Sequence, residues 1–236
     1  MKTGTLYLIP TTLGETDPLY SIPSEVFKVI DTIGHFIVEN EKSARQYLKK
    51  CGIKRPLQEV ELFPLNHNTP REVIPDYLKP LLEGKDMGII SEAGCPGVAD
   101  PGAEVVRIAQ KKKIKVVPLV GPSSILLSLM ASGLNGQNFS FNGYLPKDRN
   151  DRIKKIKELD RVSRNATQIF IETPYRNQHL FEDLLAHCDK NTLLCIAADI
   201  TLETEFISTR TIAEWLKNKE LGGGLNKRPS VFLLGQ

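Results

Sequence analysis

Apolar and polar positions along the 236-residue chain change rhythm about halfway. In the first half, short apolar runs alternate with stretches of helical period. "TLYLI" (5–9) reads as a strand, and "SIPSEVFKVIDTI" (21–33) as an amphipathic helix with Pro23 near its first turn. "HFIVE" (35–39) predicts the next strand. "EKSARQYLKKCG" (41–52) predicts the next helix, with lysines in its last turn and Gly52 placed to cap it. "LQEVELF" (57–63) alternates like a strand, whereas "TPREVIPDYLKPLLEG" (69–84) is helical but interrupted by Pro75 and Pro80. "DMGII" (86–90), a glycine-rich loop, the helix "AEVVRIAQKKK" and the strand "IKVVPLV" (114–120) follow. Repeated strand–helix units of this length predict a mostly parallel sheet covered on both faces.

The second half is patterned differently. After a helix over 123–132, "FSFNGYLP" (139–146) is extended, and a strongly charged helix runs from Arg149 to Arg161. "TQIFIE" (167–172) and "TLLCIAADI" (192–200) are strands separated by a helix over "YRNQHLFEDLLAHC". "TEFISTR" (204–210) follows too closely for a crossover helix, which predicts antiparallel pairing. A helix over "TIAEWLKNK", a turn at "GGG" (222–224) and a strand "SVFLLG" complete the pattern. The fold class is therefore α/β in two domains. Residues 1–118 carry a mostly parallel sheet and residues 119–236 a mixed one.

Composition changes this picture little. Hydrophobic residues make up 41% and charged residues 25%, ordinary values for a globular protein. No apolar run approaches the roughly 20 residues of a membrane span, and the amino terminus reads as a first strand rather than a signal peptide. A cytoplasmic protein without membrane attachment is expected. Cys51, Cys95, Cys188 and Cys195 form no C-x-x-C pair and show no ligand spacing with the four histidines, so free thiols are expected and no metal. The net charge of +3 permits a nucleic-acid partner without requiring one.

Candidate chemistry concentrates in "SEAGCPGVADPG" (91–102), at the carboxyl end of a predicted strand, where open α/β sheets bind ligands. Its glycines allow positive φ and close backbone approach. Asp100 and Pro101 also read as an N-cap and first helical residue. Twelve residues exceed what a simple strand–helix connection needs. Between Ser91 and Val106 there are three carboxylates (Glu92, Asp100, Glu104) and no lysine or arginine, and neither G-x-x-x-x-G-K-[ST] nor G-x-G-x-x-G occurs. That excludes a phosphate cradle and suits a ligand with hydroxyls or positive charge.

"SEAGCPGVADPG", followed by "VPLVGPSS" and "LMASGL", resembles the tetrapyrrole methylase family. The similarity is greatest to the branch that methylates a ribose 2′-oxygen in small-subunit ribosomal RNA; "LYLIPTTLGE", "FNGYLPKDRNDRIKKIKEL" and "FIETPYR" carry the likeness along nearly the whole chain. The resemblance implies S-adenosylmethionine in a cleft between two α/β domains, and a homodimer. It implies cofactor contacts from Gly94, Cys95, Pro96 and Val98, from Thr12 and Leu13, from Ser123 and Ser124, and from Glu172 and Ile200. The chain departs from the branch at Asn40 and Lys42, where an acid and an arginine are usual, and at Ala198 and Asp199, which replace an arginine and a glutamate.

A ribose hydroxyl is a weak nucleophile, so a general base would help; Glu39 and His67, at or near predicted strand ends, are the candidates. The segment from Pro146 to Lys157 holds six basic and two acidic residues. Tyr144, Lys147, Arg149, Arg152 and Lys155 are the candidate RNA contacts there. The first reading is a methyltransferase acting on ribosomal RNA or the small ribosomal subunit. A small-molecule methyltransferase of tetrapyrrole type and a non-catalytic RNA-binding paralogue are the alternatives.

Overall fold

The computed structural model describes residues 3–218 and 224–236. The chain divides into two compact units, Met1–Ser123 and Ser124–Gln236.

In the first unit, strands β1 (Thr5–Ile9), β2 (His35–Val38), β3 (Glu61–Pro64), β4 (Met87–Ile90) and β5 (Lys115–Pro118) form one sheet in the order β3-β2-β4-β1-β5. Every pairing is parallel. Side chains alternate across such a strand, and both faces are apolar here. Phe36, Val38 and Ile90 pack with Val26 and Ile30 of helix α1 (Ser24–Thr32) and with Tyr47 and Leu48 of α2 (Glu41–Lys50). Ile37 and Ile89 point the other way. They pack with Ile74 of α3 (Ile74–Tyr77), Leu81 of α4 (Lys79–Leu82), and Val105 and Ala109 of α5 (Gly102–Lys111). Gly88 lets this centre close: a Cβ there would lie 2.6 Å from Ile9 Cδ1 and 2.7 Å from Phe36 Cδ1.

Two predicted elements come out differently, both because of proline. Behind Pro56, residues Leu57–Glu59 wind into a 3-10 turn whose Leu57 carbonyl accepts from Arg45 Nη1 at 2.7 Å, so β3 begins only at Glu61. In 69–84, Pro75 and Pro80 sit in the first turns of α3 and α4, where the missing N–H has no partner to lose. The prolines start two short helices rather than interrupting a long one.

The second unit contains α6 (Ser124–Ser132), β6 (Phe139–Tyr144), α7 (Arg149–Val162), β7 (Thr167–Glu172), α8 (Asn177–His187), β8 (Leu193–Ala198), β9 (Phe206–Thr211), α9 (Ile212–Lys217) and β10 (Ser230–Gly235). Its sheet runs β6-β7-β10-β8-β9. Only β6 and β7 are parallel, and β8 and β9 form the expected antiparallel pair. Phe170 stacks on Phe232 with centroids 6.0 Å apart, and Phe181 meets the edge of Trp215, whose indole N–H donates to the Leu194 carbonyl at 2.9 Å. The turn expected at 222–224 lies outside the described residues except for Gly224, which has φ +93. Among the described residues, no helix is long and apolar enough to cross a membrane.

Candidate active site

The chain leaves β1 towards β2 and leaves the adjacent β4 towards β5, so α1 and α5 lie on opposite faces of the sheet. The carboxyl ends of β1 and β4 therefore flank a topological switch point, the place where such sheets open a crevice. The two outgoing loops are stitched together there. Thr11 N–H donates to the Gly94 carbonyl at 2.9 Å, and buried Ser91 lies within 3.4 Å of both Thr11 and Gly94.

The loop after β4 is shaped by left-handed backbone. Gly94 has φ +71, Gly97 φ +81 and Ala99 φ +61. At Gly94 a Cβ would also come within 3.2 Å of Leu13 and 3.4 Å of the Pro122 carbonyl. Asp100 Oδ1 accepts from the N–H groups of Gly97 and Gly102, both at 2.7 Å. Pro101 precedes the helix, which begins at Gly102, but Asp100 supplies the capping oxygen. The Cys95 thiol donates to the Pro122 carbonyl at 3.4 Å, and Val98 is half-exposed. The cradle is thus backbone and apolar side chains with carboxylates nearby, a donor set that fits a sulfonium and not a polyphosphate.

Three acids meet beside this loop. Burial pushes the Glu39 carboxyl up, and Glu92 and Asp100 push it further; a hydrogen bond from the Glu92 N–H and the proximity of His67 oppose them. Asp100 is likewise raised by burial, against its two backbone hydrogen bonds. Ser43 Oγ donates to Glu92 Oε1 at 2.6 Å. Glu39 and His67 are therefore electrostatic neighbours although 28 positions separate them. Asn40, where an acid is usual, caps α2 by accepting from the N–H groups of Lys42 and Ser43. The neighbouring thiols are poor nucleophiles: burial pushes Cys51 up to about 11 and raises Cys95.

A cavity of about 240 Å³ opens between the 11–15 loop, α2 and the end of β4. Thr12 and Leu13 line it. So do Ser43, Gln46 and Lys50, which the sequence did not single out, and Glu92, one of the three loop carboxylates that it did. The signal was available in part: 43, 46 and 50 recur at helical spacing on one face of α2. A slot of about 10 Å³, enough for one water, lies against Glu39, Ser91 and Asp100.

In the second unit, Glu172 is buried at the end of β7. Its Oε1 accepts from Thr173 N–H at 2.6 Å and from Arg176, while Oε2 has no partner. Ile200 is held between two left-handed residues, Asp199 (φ +50) and Thr201 (φ +73). Asp199 Oδ2 accepts from Arg228 Nε at 2.6 Å and Thr204 Oγ1 at 2.9 Å, and Ala198 is fully buried, so both departures from the branch pattern serve packing here. Ser123 and Ser124 lie at the start of α6.

The basic segment divides. Tyr144, Lys147 and Arg149 are exposed, Arg149 with Nε 3.2 Å from Asp183, and Lys155 pairs with Glu158 at 2.7 Å. Arg152, expected at an RNA backbone, is buried instead. Its Nε and Nη2 grip Asp183 Oδ2 at 3.0 and 2.7 Å, and Nη1 donates to the Lys147 carbonyl at 3.1 Å. Its charge is spent inside the fold. Exposed Lys154 and Lys157 take its place on the surface.

A parallel α/β unit with a glycine-rich loop free of lysine and arginine at its switch point is thus followed by a mixed-sheet unit. The chain belongs to the tetrapyrrole (corrin/porphyrin) methylases, whose family model matches residues 6–215. It is 32% identical over 220 residues to the ribosomal RNA small subunit methyltransferase I of Haemophilus influenzae, covering 91% of this chain and 73% of that protein. It is 30% identical over 237 residues to the protein of the same name from Escherichia coli O157:H7, covering 98% and 77%. A cobalt-precorrin-4 methyltransferase of cobalamin biosynthesis shares the fold, with a TM-score of 0.63 at 16% identity over 98% of this chain and 94% of that one.

Proposed function

We propose that the protein methylates a ribose 2′-hydroxyl in RNA of the small ribosomal subunit, using S-adenosylmethionine. The observation that carries the cofactor is the left-handed, base-free loop stitched to Thr11 at the switch point. The RNA substrate is supported by relatives named for it that align with more than nine-tenths of the chain.

Bound S-adenosylmethionine supplies a methyl group on a positively charged sulfur, a good leaving group. The protein's task is alignment. Gly94, Cys95, Pro96 and Val98 would hold the cofactor through backbone and apolar contacts, with Thr12 and Leu13 beside them; the resemblance adds Ser123, Ser124, Glu172 and Ile200. The acceptor oxygen must lose its proton as its bond to carbon forms. Glu39 takes that proton, since its raised affinity brings it closer to working pH, and His67 stands beside it. Tyr144, Lys147, Arg149 and Lys155, with Lys154 and Lys157, form the RNA-facing surface. The enzyme works as a cytoplasmic homodimer. The exposed cations along α7 disfavour a small-molecule acceptor, and the intact glycine loop disfavours a non-catalytic paralogue.

The test incubates the protein with labelled cofactor and small ribosomal subunits from a strain lacking the enzyme. Label on a single ribose is expected. Label on an added tetrapyrrole and none on RNA would overturn the substrate, and calorimetry showing no S-adenosylmethionine binding would overturn the cofactor.

A further inference from the structure

Resting on that reading, we infer that the cavity between the 11–15 loop and α2 receives one ribonucleotide unit of the RNA, with Lys50 holding its phosphate and Glu92 its ribose hydroxyls. Size favours a small polar group. About 240 Å³ falls below the roughly 300–1,000 Å³ of pockets that enclose drug-sized ligands, so one nucleotide of a longer chain enters with part of it left outside.

Position favours an acceptor. Thr11 and Ser91 form part of the cavity wall, and the same two residues are bound to Gly94. A ligand in the cavity therefore lies against the anchorage of the cofactor loop, with Thr12 and Leu13 shared between the two.

The polar groups are arranged with a direction. Glu92 Oε1 already accepts from Ser43, and the carboxylate keeps capacity for further hydroxyl donors. At the other end, Lys50 Nζ reaches Glu15 Oε2 at only 3.4 Å between exposed side chains. Such a surface pair contributes little and exchanges readily for a phosphate. Ser43 and Lys50 are seven residues apart on α2, about 10 Å along its axis, comparable to one extended nucleotide with its phosphate. Glu15 is 96% exposed and free to swing away from Lys50, whereas Glu92 is held by Ser43, so a phosphate is repelled more at the Glu92 end. Gln46, between them, offers both donor and acceptor to a base edge. Hydroxyl recognition at Glu92 also separates RNA from DNA, which lacks the 2′-hydroxyl.

The test uses Lys50→Glu and Glu92→Gln, both at exposed positions, with unchanged melting temperature as the check on folding. Three quantities are read: affinity for a labelled RNA pentanucleotide and its DNA counterpart, KM for small ribosomal subunits, and S-adenosylmethionine Kd. Lys50→Glu is expected to weaken the RNA pentanucleotide and raise KM by about tenfold or more, with cofactor Kd within about twofold of the unmodified protein. Glu92→Gln is expected to narrow the preference for RNA over DNA. An equal loss of cofactor affinity would assign the cavity to the cofactor and overturn the inference. Unchanged KM and pentanucleotide affinity, or no pentanucleotide binding by the unmodified protein, would also overturn it. An unmodified protein that methylates no RNA yet binds the pentanucleotide through Lys50 would refute the functional reading and uphold the cavity.

Discussion

Glu39 has a higher proton affinity in the folded chain than in the unfolded one, because burial, Glu92 and Asp100 all oppose its charge. The sign of the linkage follows. Its contribution to stability is fully present below the unfolded value near 4.5 and is lost as pH rises through the folded value. Glu39→Gln keeps an oxygen for the Glu92 N–H and removes the charge. The variant is expected to melt higher than the unmodified protein at pH 7–8, with the gap closing by about pH 4. Its methyl transfer should be slow and should lack the acid limb of the rate profile; full-rate transfer would remove Glu39 as the base. The sequence offered this residue as a candidate base from its place at a strand end. Glu92 was legible only as a loop carboxylate; its place beside Ser43 depends on α2 meeting the loop after β4, 49 positions along the chain. Arg152 misled for a related reason: within its own segment it is one cation among six, and its partner Asp183 lies 31 positions away.

That pair joins two elements. Arg152 fixes α7 to α8 through a carboxylate that also takes Arg149, and both Arg152 and Asp183 are buried. Removing one member leaves a buried charge without its partner. Asp183→Ala should therefore cost about 3–5 kcal/mol, read as a large fall in melting temperature or denaturation midpoint. Lys147→Glu with Lys154→Glu should leave melting unchanged and weaken RNA binding, with a shallower salt dependence. A stable Asp183→Ala protein would mean that the pair is ornamental. Most elements were legible because apolar period and length agree in them. The exceptions, 57–63 and 69–84, carry prolines whose effect depends on where a helix starts, and the period alone does not give that.

At the scale of the molecule, the contrast between a parallel and a mixed sheet was readable from connection lengths, since a short link between strands leaves room only for reversal. The central position of β10 was not readable, because nothing local ties "SVFLLG" to strands 60 and 35 residues earlier. The proposed homodimer also belongs to this scale. Light scattering at low micromolar concentration should give twice the 26.4 kDa chain mass. Met130, 78% exposed on α6, is a suitable position to break it: Met130→Glu should give single chains if that helix forms the contact, and a persistent pair would place the contact elsewhere.

The place of β10 also bears on the order in which the chain becomes a protein. The strands and helices of the first sheet are all present once residue 118 has been synthesised. The second sheet must wait for Ser230–Gly235, the fully buried strip between β7 and β8. Until those six residues leave the ribosome, two apolar strands stand with bare edges, the form in which nascent chains pair with the wrong neighbour. A stop codon just before Ser230 would remove the central strand of the second sheet and leave the first sheet whole. It would leave a finished first half tethered to a sticky one, a substrate for chaperones and proteases rather than a shortened enzyme.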